Sequence, residues 1–117
     1  MIEGSCHCGK VRLAVETAPD EVTSCNCSIC RRSGALWAYY APKAVQIAEA
    51  VPTHTYIWGD RMLALHRCAD CGCVTHWRPS DPTYDRMGIN ARLLAPAVLA
   101  AARIKQTDGA SWGGVTH

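Results

Sequence analysis

The sequence predicts a mainly β fold of short antiparallel strands with one or two short helical turns, on three observations. Short runs rich in β-branched, aromatic or alternating apolar side chains recur along the chain, bounded by Gly, Pro or Asp. Trp58-Gly59-Asp60-Arg61 separates two such runs and reads as a hairpin turn. Hydrophobic residues at 49% and charged residues at 19% of 117 belong to an ordinary globular chain, which excludes a disordered or collagen-like one.

In chain order, Val11 to Glu16 is the first predicted strand. Ser28 to Ser33 follows a Cys-x-Cys pair and fits a single helical turn. Leu36 to Tyr40 is the next strand, and alternation puts Trp37 and Tyr39 on one face and Tyr40 on the other, one of the two facing a core. Val45 to Ala48 follows, and Thr53 to Trp58 with Met62 to Arg67 make the hairpin. Ala97 to Ala102 is a short helix whose start is set by Pro96. No linker or low-complexity stretch interrupts the chain, and a chain this long buries roughly two thirds of its unfolded surface in one core. One domain over residues 1–117 is the expectation.

Twelve Lys and Arg against ten Asp and Glu give +2, a balance that changes if the cysteines bind metal as thiolates. So small a charge carries no argument about nucleic acid by itself, but Lys and Arg are scattered and the only adjacent basic pair is Arg31-Arg32, which argues against nucleic acid as a partner. The longest apolar run, Leu93 to Ala102, is interrupted by Pro96 and is too short to cross a bilayer, so no membrane is expected. Met1-Ile2-Glu3-Gly4-Ser5-Cys6 carries no basic segment leading into an apolar one, which predicts a cytoplasmic protein with reduced cysteines.

The eight cysteines fall into three short-range groups: Cys6-His7-Cys8-Gly9, Cys25-Asn26-Cys27-Ser28-Ile29-Cys30, and Cys68-Ala69-Asp70-Cys71-Gly72-Cys73. In extended backbone residues i and i+2 point to one side, so a Cys-x-Cys pair presents two sulfurs to one ion. A Cys-x-x-Cys turn does the same, and the Gly after it takes the positive φ the chain needs to leave. Cys6 with Cys8 and Cys68 with Cys71 each end in Cys-Gly and read as two halves of a closed four-sulfur zinc site. Cys25, Cys27 and Cys30 remain as three sulfurs, and three protein ligands leave the fourth position of tetrahedral zinc open, the arrangement of a catalytic or ligand-binding metal. Other readings of the trio are that Cys73, His7, His66 or His76 completes it, or that it holds no metal. About two zinc ions per chain are expected.

Gly4-Ser5-Cys6-His7-Cys8-Gly9-Lys10-Val11, Cys25-Asn26-Cys27-Ser28-Ile29-Cys30-Arg31-Arg32 and Cys68-Ala69-Asp70-Cys71-Gly72 resemble the three motifs of the glutathione-dependent formaldehyde-activating enzyme family, whose domain is also called the centromere-protein-V domain. Gly88-Ile89-Asn90-Ala91-Arg92-Leu93 is similar to that family's N-x-R-L segment, and Asp108-Gly109-Ala110-Ser111-Trp112 to its closing D-G-x-x-W. The resemblance implies an Mss4-like fold in which zinc joins separate segments. It implies a structural zinc on Cys6, Cys8, Cys68 and Cys71, and a second, catalytic zinc on Cys25, Cys27 and Cys30. The implied reaction joins formaldehyde and glutathione into S-hydroxymethylglutathione, so the expected enzyme is a carbon-sulfur lyase or synthase acting on thiol-aldehyde adducts. A zinc-stabilised binding module and a thiol or metal sensor are the alternatives.

Arg31 and Arg32 directly follow Cys30, where their charge can meet a glutathione carboxylate; Arg31 is the stronger candidate. Ser33 and Gly34 rank below it, since a helix stop explains Gly34 without a ligand. His54, His66 and His76 show no metal-helix spacing and read as hydrogen-bonded structural residues. Asn90 and Arg92 belong to the N-x-R-L resemblance, which makes Arg92 worth mutating, while a strand with outward polar residues is the plainer account of both. The chain departs from many relatives in having Asn26 where they have histidine, and Cys73 is an extra thiol.

Overall fold

The computed structural model describes residues 1–111. Among these residues ten strands form two sheets. β1 (Ile2–Ser5), β2 (Val11–Val15) and β5 (Val45–Glu49) make an antiparallel sheet in the order β1-β2-β5. The larger sheet runs β10 (Arg103–Thr107), β3 (Glu21–Cys25), β4 (Trp37–Tyr40), β9 (Met87–Asn90), β8 (Val74–Pro79), β7 (Leu63–Cys68), β6 (Thr53–Tyr56). The fold is mainly β, as the sequence predicts, and the two helices are short: α1 (Ser28–Ser33) and α2 (Pro96–Ala100). Pro96 occupies the first turn of α2, where its missing N–H has no intrahelical acceptor to lose. The segment between β6 and β7 turns through Gly59 at φ 56° and Arg61 at φ 61°, with the Arg61 N–H donating to the Trp58 carbonyl.

β1, β3, β8, β9 and β10 lie outside the runs singled out in the sequence. β9 reads Met-Gly-Ile-Asn and is buried throughout, so it shows no alternation of apolar and polar residues. Its Gly88 faces Trp77 of β8, and any Cβ there would collide with the indole. β10 pairs parallel with β3, in register Arg103 to Glu21 through Thr107 to Cys25. This departs from an all-antiparallel fold and carries the end of the chain to the Cys25 motif.

The main core lies between the sheets, where Leu13 and Val15 of β2 cluster with Val22, Ala38, Met87 and Ile89. Met87 and Ile89 are fully buried, each contributing about 1.5–3 kcal/mol. β4 is covered on both faces: Ala38 and Tyr40 belong to this core, whereas Trp37 and Tyr39 pack with Ala35, Leu65 and Trp77 on the other side. A third cluster is built on Cys6, Val11 and Cys68.

His66 and His76 stack across β7 and β8, ring centroids 4.2 Å apart, and each Nδ1 lies 2.8 Å from a threonine hydroxyl, Thr53 and Thr75 respectively. Burial first, then the charges of His66 and Arg78, lowers the His76 pKa to about 3. The unfolded chain therefore binds a proton that the folded chain refuses. Stability from neutral His76 is complete above about pH 6.5 and is lost as the pH falls towards 3, at about 1.4 kcal/mol per pH unit. In urea unfolding between pH 7 and 5.5, wild type should lose more stability than His76→Gln by about 1.2 kcal/mol over the interval, an average of roughly 0.6 of one proton's slope. Equal slopes would refute that assignment.

Candidate metal centres

Cys6 and Cys8 sit at the turn between β1 and β2, and Cys68 and Cys71 at the turn after β7. The two turns share one construction. The Gly9 N–H donates to the Cys6 carbonyl and the Gly72 N–H to the Cys68 carbonyl, with φ at 79° and 76°. These are the backbone conformations that the Cys-Gly pairs require. The Cys6 Sγ additionally accepts the Val11 N–H at 3.3 Å. All four sulfurs lie within 4.8 Å of one another, with Cys6–Cys8 and Cys8–Cys68 both at 3.6 Å. A Zn–S bond of about 2.3 Å puts tetrahedral sulfurs about 3.8 Å apart, so the set fits one such ion.

Their ionisation leads the same way. Backbone N–H groups of Cys73 and Cys8 pull Cys71 down to about 5. Cys8, although its sulfur accepts the Lys10 N–H, is pushed up to about 12 by partial desolvation and by Cys6, Cys68 and Cys71. Sulfurs this close cannot all carry charge unless a cation shares them.

The second group gathers Cys25 from the end of β3, Cys27 at the start of α1 and Cys30 within it, again inside 4.8 Å. α1 holds the last two in place through the Arg31 N–H on the Cys27 carbonyl, and it ends at Gly34 with φ 72°. The Cys25 Sγ accepts the Cys27 N–H at 3.4 Å, and the Cys30 Sγ accepts the Trp37 indole N–H at 3.3 Å. Burial pushes the Cys25 and Cys30 thiols up. Burial also opposes ionisation of Cys27, but backbone N–H groups and the adjoining sulfurs outweigh it and hold that thiol below its ordinary value. Among the described residues no histidine, carboxylate or further cysteine completes the trio. Cys73 packs with the four-sulfur group instead, against Cys71 and the His7 backbone, and His66 and His76 are occupied with each other.

Asn26 does what its place in the motif does not announce. Its Nδ2 donates to Asp108 Oδ1 at 2.9 Å, and its Oδ1 accepts the Ala110 N–H at 2.8 Å. The amide thus ties down the turn that follows β10, and Gly109 of that turn is pressed against the trio. A Cβ on Gly109 would stand 2.6 Å from Cys25 Sγ and 2.8 Å from Cys27 Cβ. Trp112, the last residue of the D-G-x-x-W resemblance, lies outside the described residues.

A cavity of about 200 Å³ opens on Cys25 and Cys30, and Ser24, Asn26, Arg31, Gly34 and Arg92 complete most of its wall. Arg31 and Arg32 part company here: Arg32 bonds the Ser28 carbonyl and lines a different groove, with Tyr56 and Trp58. Ser33 is turned into its own helix, donating to the Cys30 carbonyl at 3.2 Å. Asn90 is not an outward strand residue. It is buried, accepting from Leu36 and Arg92 N–H groups and donating to the Val74 carbonyl. Its cap starts a 3-10 turn over Ala91–Leu93 that delivers Arg92 to the cavity, a placement that no strand pattern signals.

Fold and cysteine geometry define a mainly β protein with two clusters able to hold metal ions. The chain belongs to the glutathione-dependent formaldehyde-activating enzyme family, whose sequence model matches residues 1–107. A crystal structure of a Rhodobacter sphaeroides protein is similar at 30% identity and a TM-score of 0.70, over 89% of this chain and 100% of that one. The comparison with curated proteins found no match. No helix among the described residues is long and apolar enough to cross a membrane.

Proposed function

We propose that the chain, as one domain, is a zinc-dependent carbon-sulfur lyase or synthase acting on adducts of a small thiol and an aldehyde, by family S-(hydroxymethyl)glutathione synthase-like. The observation that carries this is the three-sulfur cluster, with no fourth donor among the described residues, beside a cavity that reaches Cys25 and Cys30. Cys6, Cys8, Cys68 and Cys71 serve as the structural set, and Cys25, Cys27 and Cys30 as the reactive one. The reaction is an addition in which the thiol sulfur bonds to the aldehyde carbon, the carbonyl π pair moves to oxygen, and the thiol proton ends there. It needs no oxidant and runs in either direction.

Zinc in a three-thiolate set supplies a soft, weakly Lewis-acidic centre suited to a thiolate. The chain's own groups do the rest. The Cys27 N–H and the Trp37 indole disperse charge on Cys25 and Cys30, and Gly109 shuts one side against water. Arg31, its Nη1 on the Asn26 carbonyl at 3.3 Å, brings positive charge to the cavity wall for an anionic thiol. Free thiols in every group suit a reducing, cytoplasmic setting.

Cobalt exchanged for zinc gives the test. Glutathione should change the cobalt spectrum as another sulfur enters the shell, and Cys30→Ser should abolish that change while leaving a folded protein with one metal. Adduct formation from formaldehyde and glutathione, followed by NMR, should vanish with it. If thiols and aldehydes leave the spectrum unchanged, and Cys30→Ser destabilises as much as Cys71→Ser, the protein is a structural two-zinc binding module.

A further inference from the structure

Two guanidinium groups share the wall of the cavity beside Cys25 and Cys30, Arg31 from α1 and Arg92 from the turn after β9. Each is anchored at one nitrogen: Arg92 Nε donates to the Gly34 carbonyl at 2.6 Å, and Arg31 Nη1 to the Asn26 carbonyl. Among the described residues neither pairs with a carboxylate. The ion pairs among the described residues are Lys10–Asp70 and Arg103–Glu21. Like charges brought to one small cavity repel, so an arrangement that fixes both while leaving N–H donors free suits an anion held by a fork of donors. The cavity's size narrows the choice. About 200 Å³ is below the roughly 300–1,000 Å³ that encloses a drug-sized ligand, so a tripeptide enters only in part, whereas a thiol with a carboxylate a few carbons away enters whole.

We propose that Arg31 and Arg92 form a carboxylate clamp that makes the Cys25–Cys27–Cys30 centre selective for small mercapto acids, with Arg92 as the specificity-determining residue. This rests on thiol binding at that centre, and the test separates the two claims. The zinc protein is titrated with 3-mercaptopropionate, 2-mercaptoethanol and propionate while the Arg92 Nε–H resonance is followed by NMR, and the cobalt protein is titrated with the same thiols by absorption. 3-Mercaptopropionate should bind at least about tenfold more tightly than 2-mercaptoethanol. Arg92→Gln should remove that advantage without weakening 2-mercaptoethanol, and Arg92→Lys should restore only part of it. Equal affinities for the two thiols, or equal weakening of both by Arg92→Gln, would overturn the clamp. If neither thiol alters the cobalt spectrum, thiol binding at the metal fails on its own. Propionate then decides the clamp: a saturable shift of the Arg92 resonance supports it, and none overturns it.

Discussion

Cys71→Ser should unfold the domain or cost it at least about 4 kcal/mol, because the binding energy of a closed zinc site is largely folding energy. The joined turns are sixty residues apart in sequence, and little else holds them. Among the described residues the apolar cluster there is small, with Val11 its one fully buried member besides Cys6 and Cys68. The Lys10–Asp70 ion pair that also bridges the turns is about half exposed on both sides, and such pairs are worth about 0.2–1 kcal/mol. Lys10→Ala is therefore the control and should move the melting temperature by no more than a few degrees. Cys71→Ser should instead abolish the cooperative melt or lower it by tens of degrees, with one zinc lost per chain. A melt equal to wild type would remove Cys71 from the structural set.

The cysteine groups were legible because metal-ligand spacing is local: Cys-x-Cys and Cys-x-x-Cys define half-sites without knowledge of the fold. The split into four and three followed, and the structure gathers those sulfurs in those sets. Strands with alternation or a clear turn, such as Val45–Glu49 and the Thr53–Tyr56 hairpin partner, were legible for the same reason. β9 was not, since a central strand buried on both faces has no period to read, and its Gly88 makes sense only once Trp77 stands across from it. The roles of Asn26 and Arg92 are long-range. Asn26 meets Asp108 and Ala110 across more than eighty residues, and Arg92 meets Gly34 across fifty-eight, so nothing beside either residue announces its partner.

Gly109→Ala should release the second metal while sparing the first. The added methyl would sit 2.6 Å from Cys25 Sγ and 2.8 Å from Cys27 Cβ, well inside contact distance, and neither neighbour is the free end of a flexible chain. Something has to shift. The trio is held by α1 and β3, whereas the 109–111 turn is held by the Asn26 amide and the last pairs of β10, so the turn should lift. Overpacking of this kind costs about 1–3 kcal/mol, enough to lower the melting temperature without unfolding the domain. Opening that side admits water to the sulfurs, so metal should leave the trio at a chelator concentration that wild type resists. Asn26→Ala removes the same restraint without a clash and should reproduce the faster release with a smaller loss of stability. The four-sulfur site, built from separate turns, should keep its metal in both variants. Equal loss from both sites would show that the turn supports the whole fold, and unchanged release in both variants would show that it does not guard the trio.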